Sequence, residues 1–476
     1  MTEETISGRR RWGVLLVLCG AIFLEGIDVA MLNVALPAIR ADLGLATGEL
    51  QWVMSAYVLG YGGFMLLGGR AADLFGRRRM FVGWLTVFLL FSGLGGLATE
   101  GWMLIAARFV TGVAAAFMTP AGLSVITTGF AEGPERDRAL LVYSGTAAGG
   151  FSVGLVAGGL LAAADWRWVF FAPVALAALI LAGALALVPK QVRPPAAGRL
   201  DLPGGVLVTS AVVLLVFGVE RAAHAGAGWT AGTVLGGLVL LGLFAAVERR
   251  APEPLVRLGI LRSGALLRAN AAALLFSGAF FGFQFLVVLY LQEVRGWSTL
   301  QTSFAMLVIG IDAVLSPTVV PKLVARYGNG RLIVAGLLLA ALAYGLFLPL
   351  GADWSYLVML PGLVLLGLAF ALVYGPLTIV ATEGVGESEQ GLAGGLLYTS
   401  FQFGAALGLA AVTGVASASA APLEGYRTAL LVPFAAVLAA AAVALPGLRR
   451  GRAARPAPAG PAGAEAAGSA PEPARA

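Results

Sequence analysis

The chain carries one cysteine, Cys19, one histidine, His224, and two lysines, Lys190 and Lys322. A single cysteine excludes an intramolecular disulfide. With only one histidine beside it, it also excludes the clustered ligands that hold transition metals. Charge is scarce too: Asp, Glu, Lys and Arg make up 12% of the 476 residues, against about 25% in soluble globular proteins. No G-x-x-x-x-G-K-S/T loop is present, which argues against ATP-driven work, and no cofactor is expected. A nucleophile, base and metal constellation is also missing, so we expect no enzyme.

Apolar residues are what the chain has in excess. They form 59% of it, with a mean hydropathy of +0.90, more than one buried core can absorb, so much of this surface must face lipid. The net charge of +6 and pI near 9.7 would suggest nucleic acid in a soluble protein. Here the basic residues sit in short loops between apolar runs, which reads as a topology signal and not as a nucleic-acid surface.

Eight apolar spans fall at roughly 12–36, 50–68, 80–98, 102–127, 139–164, 168–188, 203–220 and 229–246. Six more fall at roughly 265–291, 299–319, 331–350, 356–379, 391–415 and 427–446. Each can cross a hydrocarbon layer of about 30 Å at 1.5 Å per residue, giving about fourteen transmembrane helices. Arg9, Arg10 and Arg11 before the first span resemble a signal-peptide start, but the run continues to Leu36 without a small-residue cleavage site and is read as a retained helix. The alternate loops, with adjoining span edges and both chain ends, hold 25 of the 31 Lys and Arg. The opposite loops hold Arg40, Arg167, Arg221, Arg295 and Arg427. Basic loops face the cytoplasm, so both termini are expected there, in a multi-pass protein of the cytoplasmic membrane.

The chain repeats itself. Phe151-x-x-Gly154-x-x-x-Gly158 in the fifth span matches Phe401-x-x-Gly404-x-x-x-Gly408 in the thirteenth. Arg70, Gly76 and Arg79 after the second span match Lys322, Gly328 and Arg331 after the tenth. Spans 1–6 therefore pair with spans 9–14, and spans 7 and 8 form an inserted hairpin. The expected organisation is an amino-terminal arm at 1–11, a six-helix bundle at 12–188, the inserted pair with its linker at 189–246, a second bundle at 247–446, and a disordered cytoplasmic tail at 447–476.

Four motifs in order resemble the major facilitator superfamily, in particular its fourteen-helix drug:proton antiporter branch. They are Asp28-x-x-x-x-Asn33-Val34-Ala35-Leu36-Pro37; Gly69-Arg70-Ala71-Ala72-Asp73-Leu74-Phe75-Gly76-Arg77-Arg78-Arg79; Arg108-Phe109-Val110-Thr111-Gly112; and the glycine ladder of the fifth span, followed by Trp166-Arg167-Trp168. The resemblance implies an all-α polytopic fold of two six-helix pseudo-symmetric halves. It also implies proton-coupled export of hydrophobic compounds, cations among them, or a secreted metabolite by alternating access. The loop residues Gly69, Arg70, Asp73, Gly76, Arg77 and Arg78 would then gate. Leu155 stands where family antiporters usually have proline, which leaves room for uptake by symport. The remaining alternative is a non-transporting membrane sensor.

The residues support roles of their own. Gly150, Gly154, Gly158 and Gly159 have the small-residue spacing of close helix packing. Charges inside a membrane are costly and usually functional, and few exist here: Glu25, Asp28, Arg108 and Asp312. Asp28 lies about 12 Å below the outer end of its span and Arg108 about 9 Å, so Arg108 is expected to pair with Asp28 or Glu25 and take part in proton coupling. Asp312 lies about 20 Å into its span, near the midplane. There it suits a lipophilic cation, with Phe280, Phe281, Phe283, Gln284 and Tyr290 as candidate lining. His224 lies in a loop, so carboxylates must carry any proton. The expected partners are the bilayer, a small-molecule substrate and protons, and a monomer is expected.

Overall fold

The computed structural model describes residues 8–45, 47–189, 201–220, 226–251, 254, 259–260, 263–386, 389–416, 418–419 and 421–446, and among these all regular structure is helical. The first half contains α1 (Gly8–Leu43), α2 (Thr47–Phe75), α3 (Arg77–Gly96), α4 (Gly101–Gly129), α5 (Pro134–Ala164) and α6 (Trp168–Leu187). A hairpin of α7 (Leu202–Glu220) and α8 (Ala227–Glu248) follows. The second half contains α9 (Gly264–Leu289), α10 (Thr299–Met306), α11 (Asp312–Thr318), α12 (Val320–Tyr327) and α13 (Asn329–Phe347). It is completed by α14 (Tyr356–Thr382), α15 (Gln390–Ala416), α16 (Pro422–Ala429) and α17 (Leu431–Ala444).

Among the described residues, thirteen helices are long and apolar enough to cross a membrane. The fourteenth expected span is present as α7, with a shorter apolar stretch at Pro203–Leu215. Helix α1 starts at Gly8, inside the stretch expected to be an arm. The tail, His224, Arg221, Lys190 and most of the linker lie outside the described residues.

The internal repeat is realised as packing. In the first half α1 packs on α5, α3 on α4 and on α6; in the second, α9 packs on α15, and α13 on α14 and on α17. Gly150, Gly154 and Gly158 press on the α1 backbone at Phe23, Ile27 and Met31, so a side chain at any of them would force the helices apart. Gly404 and Gly408 meet Leu274 and Gly278 of α9 in the same way. Gly159 instead faces Val34 and Leu300 at ordinary contact distance. The two matched loops turn at Gly76 and Gly328, with φ of 94° and 81°, a backbone region in which glycine is not strained.

The tenth span departs from the continuous helix expected over 299–319. It begins with a capping box at Ser298 and Gln301, tightens to a 3-10 turn at Leu307–Ile311, and resumes as α11 and α12. Gly310 inside it faces Ser152 of α5, and Pro317 and Pro321 cannot donate to a helical ladder. The last span is likewise two pieces, α16 and α17. The hairpin bridges the halves: α7 packs on both α2 and α15. Leu59, Val208, Val212, Phe244 and Leu392 share one apolar cluster, and Trp52 stacks on Phe217 at 5.4 Å.

Candidate functional site

The buried charges of the first half come together. Arg108 of α4 donates from Nη1 to Asp28 Oδ2 of α1 at 2.6 Å, with both side chains almost fully buried. The guanidinium also lies 4.4 Å over the Tyr57 ring of α2. The pairing expected from matching depths is therefore made to Asp28.

Glu25, one turn earlier on α1, is buried as well but meets hydroxyls. Tyr61 of α2 donates to its Oε2 at 3.4 Å, and Thr119 of α4 donates to its Oε1. Tyr61 stacks on Tyr57 at 5.8 Å. Three further tyrosines belong to the same apolar cluster as Tyr57 and Tyr61: Tyr143 of α5 and Tyr398 of α15 are buried in it, and Tyr374 of α14 packs against it.

Asp312 opens α11 directly after the 3-10 turn, is 3% exposed, and leaves Oδ2 without a hydrogen-bond partner. Its helix, α11, packs on α5 of the first half and on α14 of the second. Of the expected lining, Phe280 joins an aromatic chain, with its centroid 4.5 Å from Phe370, which stacks on Tyr374 at 5.0 Å. Phe283 instead packs on Tyr344 and Phe347 of α13, each at 4.8 Å. Tyr290 is buried in a π-helical turn and donates to the Gly351 carbonyl at 2.7 Å. These two residues hold α9 to α13 and its following loop. Phe281 is exposed on the bundle surface and Gln284 is half-buried. Asn270 accepts from Ser400 at 2.8 Å, a polar contact between α9 and α15.

At the arginine-rich end the halves are tied. Asp73, at the end of α2, accepts from the backbone amides of Gly391 and Leu392, each at 3.3 Å. These are free first-turn amides at the positive end of α15, where a carboxylate is favourable. Gly69 and Gly391 meet backbone to backbone across the seam, and a side chain on either would block the approach. Arg77 lies 3.6 Å from Asp73, Arg70 adds a second positive charge nearby, and Arg78 turns away to donate to the Leu185 carbonyl at 3.0 Å.

A second tie was not anticipated from the sequence. Arg136 of α5 is buried and donates to the Thr382 carbonyl at 3.1 Å and Gln390 Oε1 at 3.3 Å, both in the other half. Glu132 pairs with Arg136 at 3.1 Å and accepts from the Gly384 amide at 3.2 Å. The signal for it was thin: P-E-R-D-R at 134–138 reads as one more basic loop. At the opposite end Asp42 accepts from the Trp166 indole at 3.0 Å and from Arg167 at 2.9 Å, and these partners hold its carboxyl below its ordinary range.

A family model described as Major Facilitator Superfamily matches residues 18–409. The chain is 38% identical over 435 residues to the puromycin resistance protein pur8 of Streptomyces alboniger, covering 88% of this chain and 84% of that protein. It is 38% identical over 450 residues to the cephamycin export protein CmcT of Amycolatopsis lactamdurans, covering 91% of each. In fold it resembles the proton:xylose symporter XylE, with a TM-score of 0.66 at 16% identity over 92% of this chain and 96% of that one. The human organic anion transporter MFSD10 superposes with a TM-score of 0.64 at 16% identity, over 93% of this chain and all of the other. With two pseudo-symmetric six-helix halves, a buried ion pair between α1 and α4, and a family match over most of its length, the chain is a multi-pass membrane protein that belongs to the Major Facilitator Superfamily.

Proposed function

We propose that the protein exports hydrophobic small molecules, lipophilic cations among them, across the cytoplasmic membrane in exchange for protons. The observation that carries this reading is the pairing of two features. Breakable ties join the halves at one end, and uncompensated carboxylates lie between and within the halves. Asp73 and Arg136 grip backbone groups of the opposite half, contacts that can part without leaving a side chain unsatisfied once water enters. The arginine-rich end is taken as cytoplasmic, with both termini on that side, and the protein works as a monomer.

In this reading the α1 carboxylates and Arg108 couple to the proton, and Asp312 attracts cationic cargo from the seam beside Phe280, Phe370 and Tyr374. The relatives named for puromycin resistance and cephamycin export support export as the direction. The test uses everted vesicles energised with a proton gradient and offered ethidium, tetraphenylphosphonium and puromycin, with wild type, Asp28→Asn and Asp312→Asn. Gradient-driven accumulation by wild type, abolished in Asp28→Asn and reduced for the two permanent cations in Asp312→Asn, is expected. Equal accumulation in vesicles with and without the protein would overturn the reading.

A further inference from the structure

The closing end of α6 meets two arginine-bearing helix starts. Gly13 of α1 faces Leu187, and Arg78 of α3 donates to the Leu185 carbonyl at 3.0 Å. The start of α1 thus lies at the same end of the molecule as Asp73. The arginines gathered there differ in their partners. Arg77 pairs with Asp73, Arg78 has its carbonyl, and Arg136 grips the second half. Arg11 has no such use. Its Nε is buried without a hydrogen-bond partner, and among the described residues no carboxylate pairs with Arg11, Arg10 or Arg138. A buried donor without an acceptor is costly.

Arg11 lines a partly open cavity of about 210 Å³ between the start of α1 and the end of α4. Other walls of this cavity are Val14, Leu18, Val125, Ile126 and Phe130, all apolar and themselves buried. Val14 and Leu18 stand about 4.5 and 10.5 Å further along α1 than Arg11. Positive charge therefore sits at one end of the cavity and hydrocarbon at the other, the chemistry that receives an amphiphilic anion.

The start of α1 favours an anion for a second reason. Its first turn carries Arg9, Arg10 and Arg11 and no acidic residue. Free amides and the helix dipole already make that end positive, so arginines there oppose the dipole and a bound anion offsets both. The neighbouring Trp12 is partly exposed, meets Phe130 edge-on at 5.9 Å, and has the Arg138 guanidinium 5.5 Å from its ring centroid. Tryptophan favours the boundary between headgroups and acyl chains, which puts Arg11 at headgroup depth. A free phosphate would meet the charge and leave the apolar walls bare; a neutral lipid would do the reverse.

We propose that this cavity binds one anionic phospholipid of the adjoining leaflet, with its phosphate on Arg11 and the start of one acyl chain along Val14, Leu18 and Ile126. Arg10 and Arg138, both exposed, add longer-range attraction. The lipid covers the ends of α1 and α4, the two helices that carry Asp28 and Arg108, whichever cargo the protein moves.

Native mass spectrometry of the purified full-length protein tests this, with dioleoyl phosphatidylglycerol, dioleoyl phosphatidylcholine and glycerol phosphate as probes. Wild type is expected to retain phosphatidylglycerol over phosphatidylcholine and to bind no glycerol phosphate at the same concentration. Arg11→Gln should retain about fivefold less phosphatidylglycerol, the weight of one basic residue at an anionic membrane surface. Gly129→Leu keeps Arg11 and fills the cavity, since Gly129 lines it and a Cβ added there meets nothing within 4 Å. It should lose retention to a similar degree. Arg79→Gln, which removes an exposed arginine at the same end, should bind as wild type does. A wild type without the preference, or retention undiminished in Arg11→Gln or in Gly129→Leu, would overturn the site. An equal loss in Arg79→Gln would overturn it in favour of diffuse attraction to a basic surface. Glycerol phosphate bound as tightly as the lipid would overturn it in favour of a free anion.

Discussion

Asp73, at the end of α2 in one half, accepts the backbone amide of Gly391, in the first turn of α15 in the other half, at 3.3 Å. That contact combines a charge with the positive end of a helix, and it exists only while the arginine-rich ends of the halves meet. Arg136 makes the complementary arrangement, a cation on the Thr382 carbonyl at the closing end of α14. The two ties use opposite signs on opposite helix ends, so each strengthens closure by complementing a helix dipole.

Asp73→Asn keeps an acceptor but loses the charge. We expect closure to weaken by about 1–2 kcal/mol, the upper range for a partly buried charge at a helix end. That would raise the open population by roughly 5–30-fold. Spin labels at the exposed positions Phe75 and Glu383 read this by pulsed electron resonance. A longer-distance population should grow in Asp73→Asn, and unchanged distances would contradict the latch.

Arg108→Ala leaves Asp28 buried without its partner, a loss of about 3–5 kcal/mol for pairs of this kind. Asp28→Asn with Arg108→Gln removes both charges and should recover most of that stability. Thermal unfolding in detergent compares the two. A double variant no more stable than Arg108→Ala would show that packing, and not charge, dominates the site.

Much of this arrangement was legible beforehand, and the legible parts share a cause. Asp28 and Arg108 announced themselves because an intramembrane charge needs a counter-charge at the same depth. Gly76 and Gly328 did so because a tight turn needs glycine in both copies of the repeat. Asp73 was legible as a carboxylate set among arginines, but the particular helix end it meets was not: a backbone amide of Gly391 or Leu392 leaves no mark in residue identity. The break at Leu307–Ile311 was hidden because Gly310 and Pro317 are also common in unbroken membrane helices. Tyr61 and Tyr143 come from the first half and Tyr374 and Tyr398 from the second, so only the fold unites them in one cluster. Phe283 and Tyr290 share a helix with Phe280 but point to α13, a distinction that helix membership alone does not make.

Gly154→Val should destabilise the first half. A Cβ there would lie 2.8 Å from both Ala30 Cβ and Ile27 Cα, forcing α1 and α5 apart. Overpacking of this sort costs about 1–3 kcal/mol. Gly83→Ala is the control, since nothing lies within 4 Å of its added Cβ. Unfolding temperatures should fall for the first and hold for the second; equal values would refute the close-packed seam.

Asp42 supplies a pH test at the opposite end. The Trp166 indole and Arg167 favour its charged form, so its contribution to stability is present above its ordinary pKa of 3.8 and is lost as the pH falls through the lower native value. Asp42→Asn should therefore melt slightly below wild type at neutral pH and match it in strong acid. A difference that grows on acidification would reverse the sign and refute the pairing.

Export in exchange for protons requires cargo movement and proton movement to be obligatorily opposed. Its most direct measurement records both at once, in proteoliposomes holding a pH-sensitive dye and radiolabelled puromycin. Puromycin leaving the vesicle down its gradient should draw protons inward through wild-type protein and through no protein-free vesicle. Puromycin exit with no change in internal pH would show that the protein moves cargo without exchanging protons.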